Sequence, residues 1–298
     1  MSDIPVIRAE DVEHKLDWTR MVDALAAGHR LPKAQVSDQF LTRGGDTLMS
    51  RAAWIDGLGA AVKTFTVMPD NVARGLPSVQ GAMLLYDDAT GAPSAIIDFD
   101  LVTKWKTVAD SLLGVRLLAV PDAHHVLIVG AGKVAQQLAA AYSQFMPDCE
   151  VRIWARDAAK AAAIGTAMPD LAKAVEWADI ISCATLSQNP IVYGEWLRAG
   201  QHVDLIGSFK AGMREADDDA LSRTQIYVDS HESAAHVGEI GDPLARGVIV
   251  SADILGDLYD LVARPPKRTA QDITLYKNAG GAHLDLIVAR AILDAAQA

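Results

Sequence analysis

The 298-residue chain has no run approaching the ~18 apolar residues of a membrane-spanning helix, so none of its segments is fitted to cross a bilayer. Its opening, Met1-Ser2-Asp3-Ile4-Pro5, lacks a basic stretch followed by an apolar one, and no secretory signal is read there. It has two cysteines, Cys149 and Cys183, without metal-ligand spacing, which excludes a zinc framework and points to reduced thiols in the cytoplasm. Cys183, in an apolar stretch, reads as a small packed side chain. His124, His125, His231, His236 and His283 also lack metal-ligand spacing, and no metal is expected. Positive charge is scarce: 27 Lys and Arg against 38 Asp and Glu give −11. That balance argues against nucleic acid or an anionic membrane as partner, though a locally basic pocket for a small anion remains open. There is no internal repeat, low-complexity stretch or heptad run.

Half of the residues are hydrophobic, enough for a substantial core in one large or two ordinary domains. The first third reads as mixed α/β. Met21–Gly28 is expected to be helical, with strand character at Thr47–Met49, Gly59–Thr66, Ser78–Tyr86 and Ala95–Asp98. Apolar residues recur at helical spacing from Leu101 to Ala119, and Pro121-Asp122 ends that helix at an expected domain boundary.

Beyond it, strands and helices alternate. Val126–Val129, Val151–Trp154, Asp179–Ala184, His202–Ile206 and Gln225–Asp229 read as strands, and Val134–Phe145 and Ala158–Ala167 as helices. Such alternation predicts a parallel sheet covered on both faces. Arg214-Glu215-Ala216-Asp217-Asp218-Asp219 reads as a helix start with acidic first-turn residues. The last stretch, with Leu284, Leu286, Ile287, Ala289, Ile292 and Leu293, reads as a helix expected to return to the first domain.

The strongest motif is Val126-Leu127-Ile128-Val129-Gly130-Ala131-Gly132-Lys133-Val134-Ala135. It is G-x-G-x-x-A directly after a strand and before a helix. Gly130 permits the tight turn, Gly132 lets backbone approach a pyrophosphate, and Ala135 lets helix and strand pack closely. The amides and partial positive charge of the helix N-terminus then face the phosphates. Gly130, Ala131, Gly132, Lys133 and Val134 are therefore read as cofactor contacts in a Rossmann-type, doubly wound domain for NAD(P)(H). The plainer reading is a glycine turn that binds nothing.

The end of the second strand separates NAD from NADP. An NAD site places Asp or Glu there for the ribose hydroxyls, but the chain has Ala155-Arg156-Asp157. Arg156 suits a 2′-phosphate, so NADP(H) is favoured over NAD(H). A shift of register would instead bring in Asp157, and Arg156 would then be a solvated charge.

Several segments together resemble the ornithine cyclodeaminase/mu-crystallin family, which includes ketimine reductases and alanine dehydrogenases. They are Gly59-Ala60-Ala61-Val62-Lys63 with Pro69-Asp70-Asn71, Leu76-Pro77-Ser78-Val79-Gln80, Asp88-Ala89-Thr90-Gly91-Ala92-Pro93, and the stretch from Leu101 to Ser111. The glycine turn, Ile206-Gly207-Ser208-Phe209 with Met213-Arg214-Glu215, and Ile273 to Gly281 complete the set. The resemblance implies a second α/β domain for substrate binding and dimerisation, formed by residues 1–121 with 270–298 returning to it, around a dinucleotide domain of residues 122–269. It also implies a homodimer and an active site in the interdomain cleft. Lys63 and Lys106 match substrate contacts, Lys106 standing where an arginine usually grips the substrate carboxylate. Ala279 also matches a substrate contact. Ser78, Thr107, Thr185, Ile206, Gly207 and Asn278 match positions at the cofactor.

Three departures bear on activity. Lys106 is a point charge in place of a bidentate fork. The N-terminal substrate arginine is missing from Ala34-Gln35-Val36-Ser37-Asp38, leaving Arg51 to supply that charge from a nearby strand. A cyclodeaminase needs an acidic residue where this chain has Phe209, and a phenyl ring moves no protons. The favoured chemistry is therefore NAD(P)H-dependent reduction of a cyclic ketimine or 2-imino acid, such as pyrroline-2-carboxylate, or oxidation of the matching amino acid. Lys63 and Lys106 are the expected catalytic residues, with Lys63, lowered in pKa by burial beside another cation, exchanging the proton. Ornithine cyclodeaminase and a non-catalytic, mu-crystallin-like NADP-binding protein are the alternatives.

Overall fold

In the strand Gly59–Val67, Gly59, Ala61 and Lys63 are buried while the residues between them are less so. This period of two belongs to a strand with one face on a core. The computed structural model describes residues 4–298. It divides into two units, Met1–Lys106 with Gly281–Ala298, and Thr107–Gly280.

In the first unit, β1 (Val6–Ile7), α1 (Ala9–Val12) and α2 (Trp18–Gly28) precede five antiparallel strands. These are β2 (Gln35–Arg43), β3 (Asp46–Ile55), β4 (Gly59–Val67), β5 (Val79–Tyr86) and β6 (Pro93–Asp98). The sheet order is β1-β6-β5-β4-β3-β2, with β1 parallel to β6. Asp17 caps α2 by accepting from Arg20 N at 2.8 Å. Residues from Ala53 and Ile55 on β3, Met83 and Leu85 on β5, and Ala95 and Ile97 on β6 are buried. Strand β2, unanticipated, is exposed along its whole length. With neither face covered, it carries no alternation to read.

Helix α3 (Phe99–Leu118) begins in the first unit and continues into the second. From Val108 to Val115 every residue is buried, as in a helix covered all round. Its later turns explain why the division falls at Lys106/Thr107 and not at the expected 121/122. Asp110 accepts from Tyr276 Oη at 2.6 Å, and Ser111 donates to Asp204 at 3.1 Å. A Cβ on Gly114 would stand 2.7 Å from the Tyr276 ring.

The second unit runs β7 (His125–Val129), α4 (Lys133–Phe145), β8 (Glu150–Trp154), α5 (Ala158–Ala162), β9 (Thr166–Ala167), α6 (Leu171–Trp177), β10 (Ile180–Cys183) and β11 (His202–Leu205). It continues with α7 (Asp218–Ser222), β12 (Gln225–Val228), α8 (His231–Ala235), α9 (Gly238–Arg246), β13 (Ile254–Gly256), α10 (Leu258–Ala263) and β14 (Thr274–Lys277). All eight strands are parallel, in the order β13-β12-β14-β11-β10-β7-β8-β9. Strands β10, β11 and β14 are buried throughout, because helices cover both faces of such a sheet. Cys183 packs among Leu127, Ile181, Val203 and Leu205 in that core. The chain ends in α11 (Ala282–Gln297), which belongs to the first unit. It crosses α2 so closely that a Cβ on Gly28 would meet the Ile287 side chain at 2.5 Å.

Three local expectations change. Ala158–Ala167 is not one helix: α5 stops at Ala162, and the chain turns through Gly165 into β9. The start of α7 is Asp218, capped by Asp217, so Arg214 and Glu215 lie before it and are buried. The segment from residue 270 does not return at once to the first unit, since β14 pairs with both β11 and β12.

Candidate active site

Gly130 has φ +131, and a Cβ there would stand 2.5 Å from the Ala184 carbonyl oxygen. Only glycine suits that turn. Gly132 caps α4 without any side-chain hydrogen bond, and a Cβ on it would meet nothing within 4 Å. Open space therefore faces the N-terminus of a helix carrying roughly half a positive charge. Ala135, fully buried, sits where α4 leaves the strand. To one side of β7 lie β8 and β9, and to the other β10 and β11. This reversal of strand order creates the crevice in which dinucleotides bind, outside the carboxyl ends of the strands. The cradle fits a dinucleotide, whose pyrophosphate Gly130–Val134 would hold.

Past β8, Asp157 caps α5 by accepting from Ala159 N at 3.1 Å and Lys160 N at 3.3 Å. Its carboxylate is thus engaged by backbone. Arg156, immediately before it, is exposed.

Past β10 and β11 stand Thr185, Ile206 and Gly207. Both turns bond to Glu215, whose burial pushes its carboxyl up to about 8. Asn278 donates from Nδ2 to the Thr107 carbonyl at 2.9 Å and to Ser111 Oγ at 3.1 Å. Ala279 packs partly buried against the core of this unit. Lys277, fully buried, donates to the carbonyls of Leu205 and Asn278. Asp204, accepting from Ser111 and Ser182, is pushed by burial up to about 7.

In the first unit, Asp38 on β2, Arg51 on β3 and Lys63 on β4 occupy one row across the sheet. Like charges directly opposite destabilise a strand pair, and each cation here has a carboxylate. Arg51 pairs with Asp38 at 2.9 Å. Lys63 Nζ pairs with Asp285 Oδ1 at 2.9 Å, donates to Thr103 Oγ1 at 2.8 Å, and lies 4.6 Å from the centre of the Phe99 ring. Desolvation lowers the Lys63 pKa most; Asp285 opposes it, and Lys106 and Arg51 add to it. Asp285 is held below the usual carboxylate range, the attraction of Lys63, Lys106 and Arg51 overcoming burial. His283 is buried beside these cations and His29, so its pKa falls far below the ordinary value and its ring is neutral. Three cations thus gather around one buried carboxylate on the inner face of the sheet.

The sequence-predicted residues divide between the two units. Gly130, Ala131, Gly132, Lys133, Val134, Thr107, Arg156, Thr185, Ile206, Gly207, Asn278 and Ala279 belong to the second, and Arg51, Lys63, Ser78 and Lys106 to the first. Ser78 precedes β5 and accepts from Met68 N through its carbonyl. Trp105 stacks on Trp18 at 3.9 Å and is core. Sequence reasoning missed Asp285, which lies in a stretch of α11 that is buried on every side, and Lys277, hidden within a strand. Glu215 was visible as part of an Arg-Glu pair. Among the described residues, His231, Asp257 and Asp260 bring ligand atoms within 4.8 Å of one another, but Asp257 serves as the cap of α10.

Residues 37–298 match the ornithine cyclodeaminase/mu-crystallin family. The chain belongs to that family. It is 51% identical over 294 residues to a Delta(1)-pyrroline-2-carboxylate reductase of Paracoccus denitrificans, covering 94% of this chain and 93% of that one. It is 30% identical over 246 residues to the ketimine reductase mu-crystallin of Mus musculus, covering 80% and 76%. An archaeal alanine dehydrogenase, solved as a dimer with bound NAD, has the same fold, with a TM-score of 0.90 at 25% identity over 99% of this chain and 96% of that one. The doubly wound parallel sheet and the sheet bearing Lys63 are thus this family's architecture.

Proposed function

We propose that the protein is an NAD(P)H-dependent reductase of cyclic ketimines or 2-imino acids, with pyrroline-2-carboxylate as the reference substrate, able to run in reverse on the amino acid. The observation that carries the reading is the buried Lys63–Asp285 pair flanked by Lys106 and Arg51, in a chain half identical to a pyrroline-2-carboxylate reductase. Lys106 and Arg51 bind the substrate carboxylate and so fix which carbon is presented. Lys63, its pKa lowered, exchanges a proton with the substrate nitrogen, and Asp285 keeps its Nζ in place. A bound nicotinamide supplies the hydride.

The other two readings have less support. Phe209, 59% exposed, stands where a cyclodeaminase carries its acid, and Lys210 Nζ lies 5.9 Å from its ring. A binding protein without turnover needs no lysine of lowered pKa.

NADP(H) is the favoured cofactor, because the Asp157 carboxylate is engaged as a helix cap and Arg156 is exposed beside it. A homodimer is supported by the uncovered strand β2, with Phe40 and Leu41 exposed and Leu41 opposite the exposed Leu48 of β3, and by the dimeric alanine dehydrogenase. Two free thiols support residence in the cytoplasm. Among the described residues no helix is long and apolar enough to cross a membrane. Purified protein given pyrroline-2-carboxylate and either reduced cofactor should form proline while oxidising one cofactor per product; proline formed from ornithine with ammonia and no net oxidation would overturn the assignment.

A further inference from the structure

We propose that Glu215 is the positioning residue of the nicotinamide half-site: its carboxylate ties the turn after β10 to the turn after β11 and holds them as one platform for the ring. This rests on the dinucleotide reading above.

The bonds are specific to the two turns. Glu215 Oε1 accepts from Thr185 N at 2.7 Å and from Thr185 Oγ1 at 2.8 Å. Oε2 accepts from Gly207 N at 2.7 Å. Strand order places these turns on the side of β7 opposite β8, where the second nucleoside of a dinucleotide lies. Gly207 allows the approach: a Cβ there would fall 1.9 Å from the Thr185 carbonyl oxygen and 2.5 Å from Glu215 Oε1. One side chain thereby bridges two turns whose backbones already approach closely at Gly207.

Glu215 is itself anchored. Its amide donates to Glu239 Oε2 at 2.7 Å, the amide of Ala216 donates to Glu239 Oε1 at 3.1 Å, and Arg214 Nε reaches the same oxygen at 3.3 Å. Glu215 and Glu239 are fully buried, and Lys277 is the buried cation that offsets both. A short helix start needs none of this, and a buried carboxylate is costly unless its acceptors are used. All three donors here are N–H or O–H groups, so only an acceptor on both oxygens satisfies them. A glutamine presents one acceptor and one donor, and must set its NH2 against Thr185 or Gly207. The substitution keeps shape and volume while releasing one of the two turns.

The test compares nucleotides with and without the ring. Calorimetry at about pH 9, above the value of about 8 to which burial raises the Glu215 carboxyl, would measure binding of NADH and of ADP-ribose to wild type and to Glu215→Gln, with NADPH and 2′-phospho-ADP-ribose as the second pair. The expected result is about a tenfold or greater weakening of the reduced dinucleotide in Glu215→Gln, with the ADP-ribose fragment held to within about twofold. Thr185→Val, which removes only the hydroxyl donor, should show the same split at smaller size, and it carries the test if Glu215→Gln does not fold. A parallel loss of dinucleotide and fragment, or no loss of either, would overturn the proposal by showing a merely structural carboxylate. Wild type binding neither nucleotide would instead remove the dinucleotide reading on which the proposal stands.

Discussion

Lys63 and Asp285, 222 residues apart in sequence, meet at 2.9 Å with their side chains only 5% and 1% exposed. Asp285 Oδ2 has no hydrogen-bond partner among the described residues, so Lys63 is the cation bonded to this carboxylate, with Lys106 and Arg51 adding attraction without a hydrogen bond. Lys63→Met should therefore destabilise the protein by about 3–5 kcal/mol, because it strands a buried charge. It should also lower kcat/KM by about 100-fold or more, the scale of a lost proton-transfer group. In Lys63→Met/Asp285→Asn the stranded charge is gone. Thermal unfolding should recover most of the lost stability, while kcat/KM stays low. Recovery of both together would assign the pair to the fold alone.

Gly130 and Gly132 should behave differently although they share one motif. Gly130→Ala places a methyl 2.5 Å from the Ala184 carbonyl in a positive-φ turn, and should cost about 1–3 kcal/mol of stability. The methyl of Gly132→Ala meets no protein atom, so its melting temperature should stay close to wild type. Its dinucleotide Kd should nevertheless rise about tenfold or more, since the methyl fills the approach to the α4 N-terminus. Calorimetry with denaturation scans distinguishes the two.

Arg156→Ala should weaken NADPH more than NADH, by about 1.5–3 kcal/mol, the range for a hydrogen bond to a charged group. Paired Kd measurements on wild type and variant read this directly. Equal losses for both cofactors would make Arg156 a general surface charge.

Asp204 predicts a pH dependence. Its folded pKa of about 7 lies above the ordinary 3.8. Between those values the folded protein keeps a proton that the unfolded chain has released, so stability falls as pH rises through that window. Glu215, raised to about 8, adds a slope of the same sign, and His202, lowered to about 3, adds the opposite slope below the ordinary 6.5. Subtracting the Asp204→Asn curve from wild type should isolate a decline ending near pH 7. A difference that is flat across pH 4–7 would show that Asp204 is ionised throughout.

Much of the fold was legible because its signals are local. The run Val126–Val129, the two glycines and Ala135 name a strand, a turn and a helix within ten residues, and the structure has all three. Strand β2 was not legible, since an edge strand with both faces exposed obeys no alternation. Strand β14 was hidden by its place in the chain: its pairing with β11 and β12 is a long-range fact. The charges show the same divide. Lys63 and Lys106 stood out through the family resemblance, whereas Asp285 sits in a stretch of α11 buried on every side and gains meaning only from the strand it meets. Glu215 was seen but read as a helix start; its bonds to Thr185 and Gly207 come from a loop that turns back over the strand ends.

The most direct measurement is single-turnover reduction of pyrroline-2-carboxylate by wild type and Lys63→Met, followed by nicotinamide absorbance and by chromatography of the product. Wild type should convert one equivalent of reduced cofactor into one of proline, and Lys63→Met should do so about 100-fold or more slowly. No proline from wild type, or equal rates from both proteins, would contradict the account.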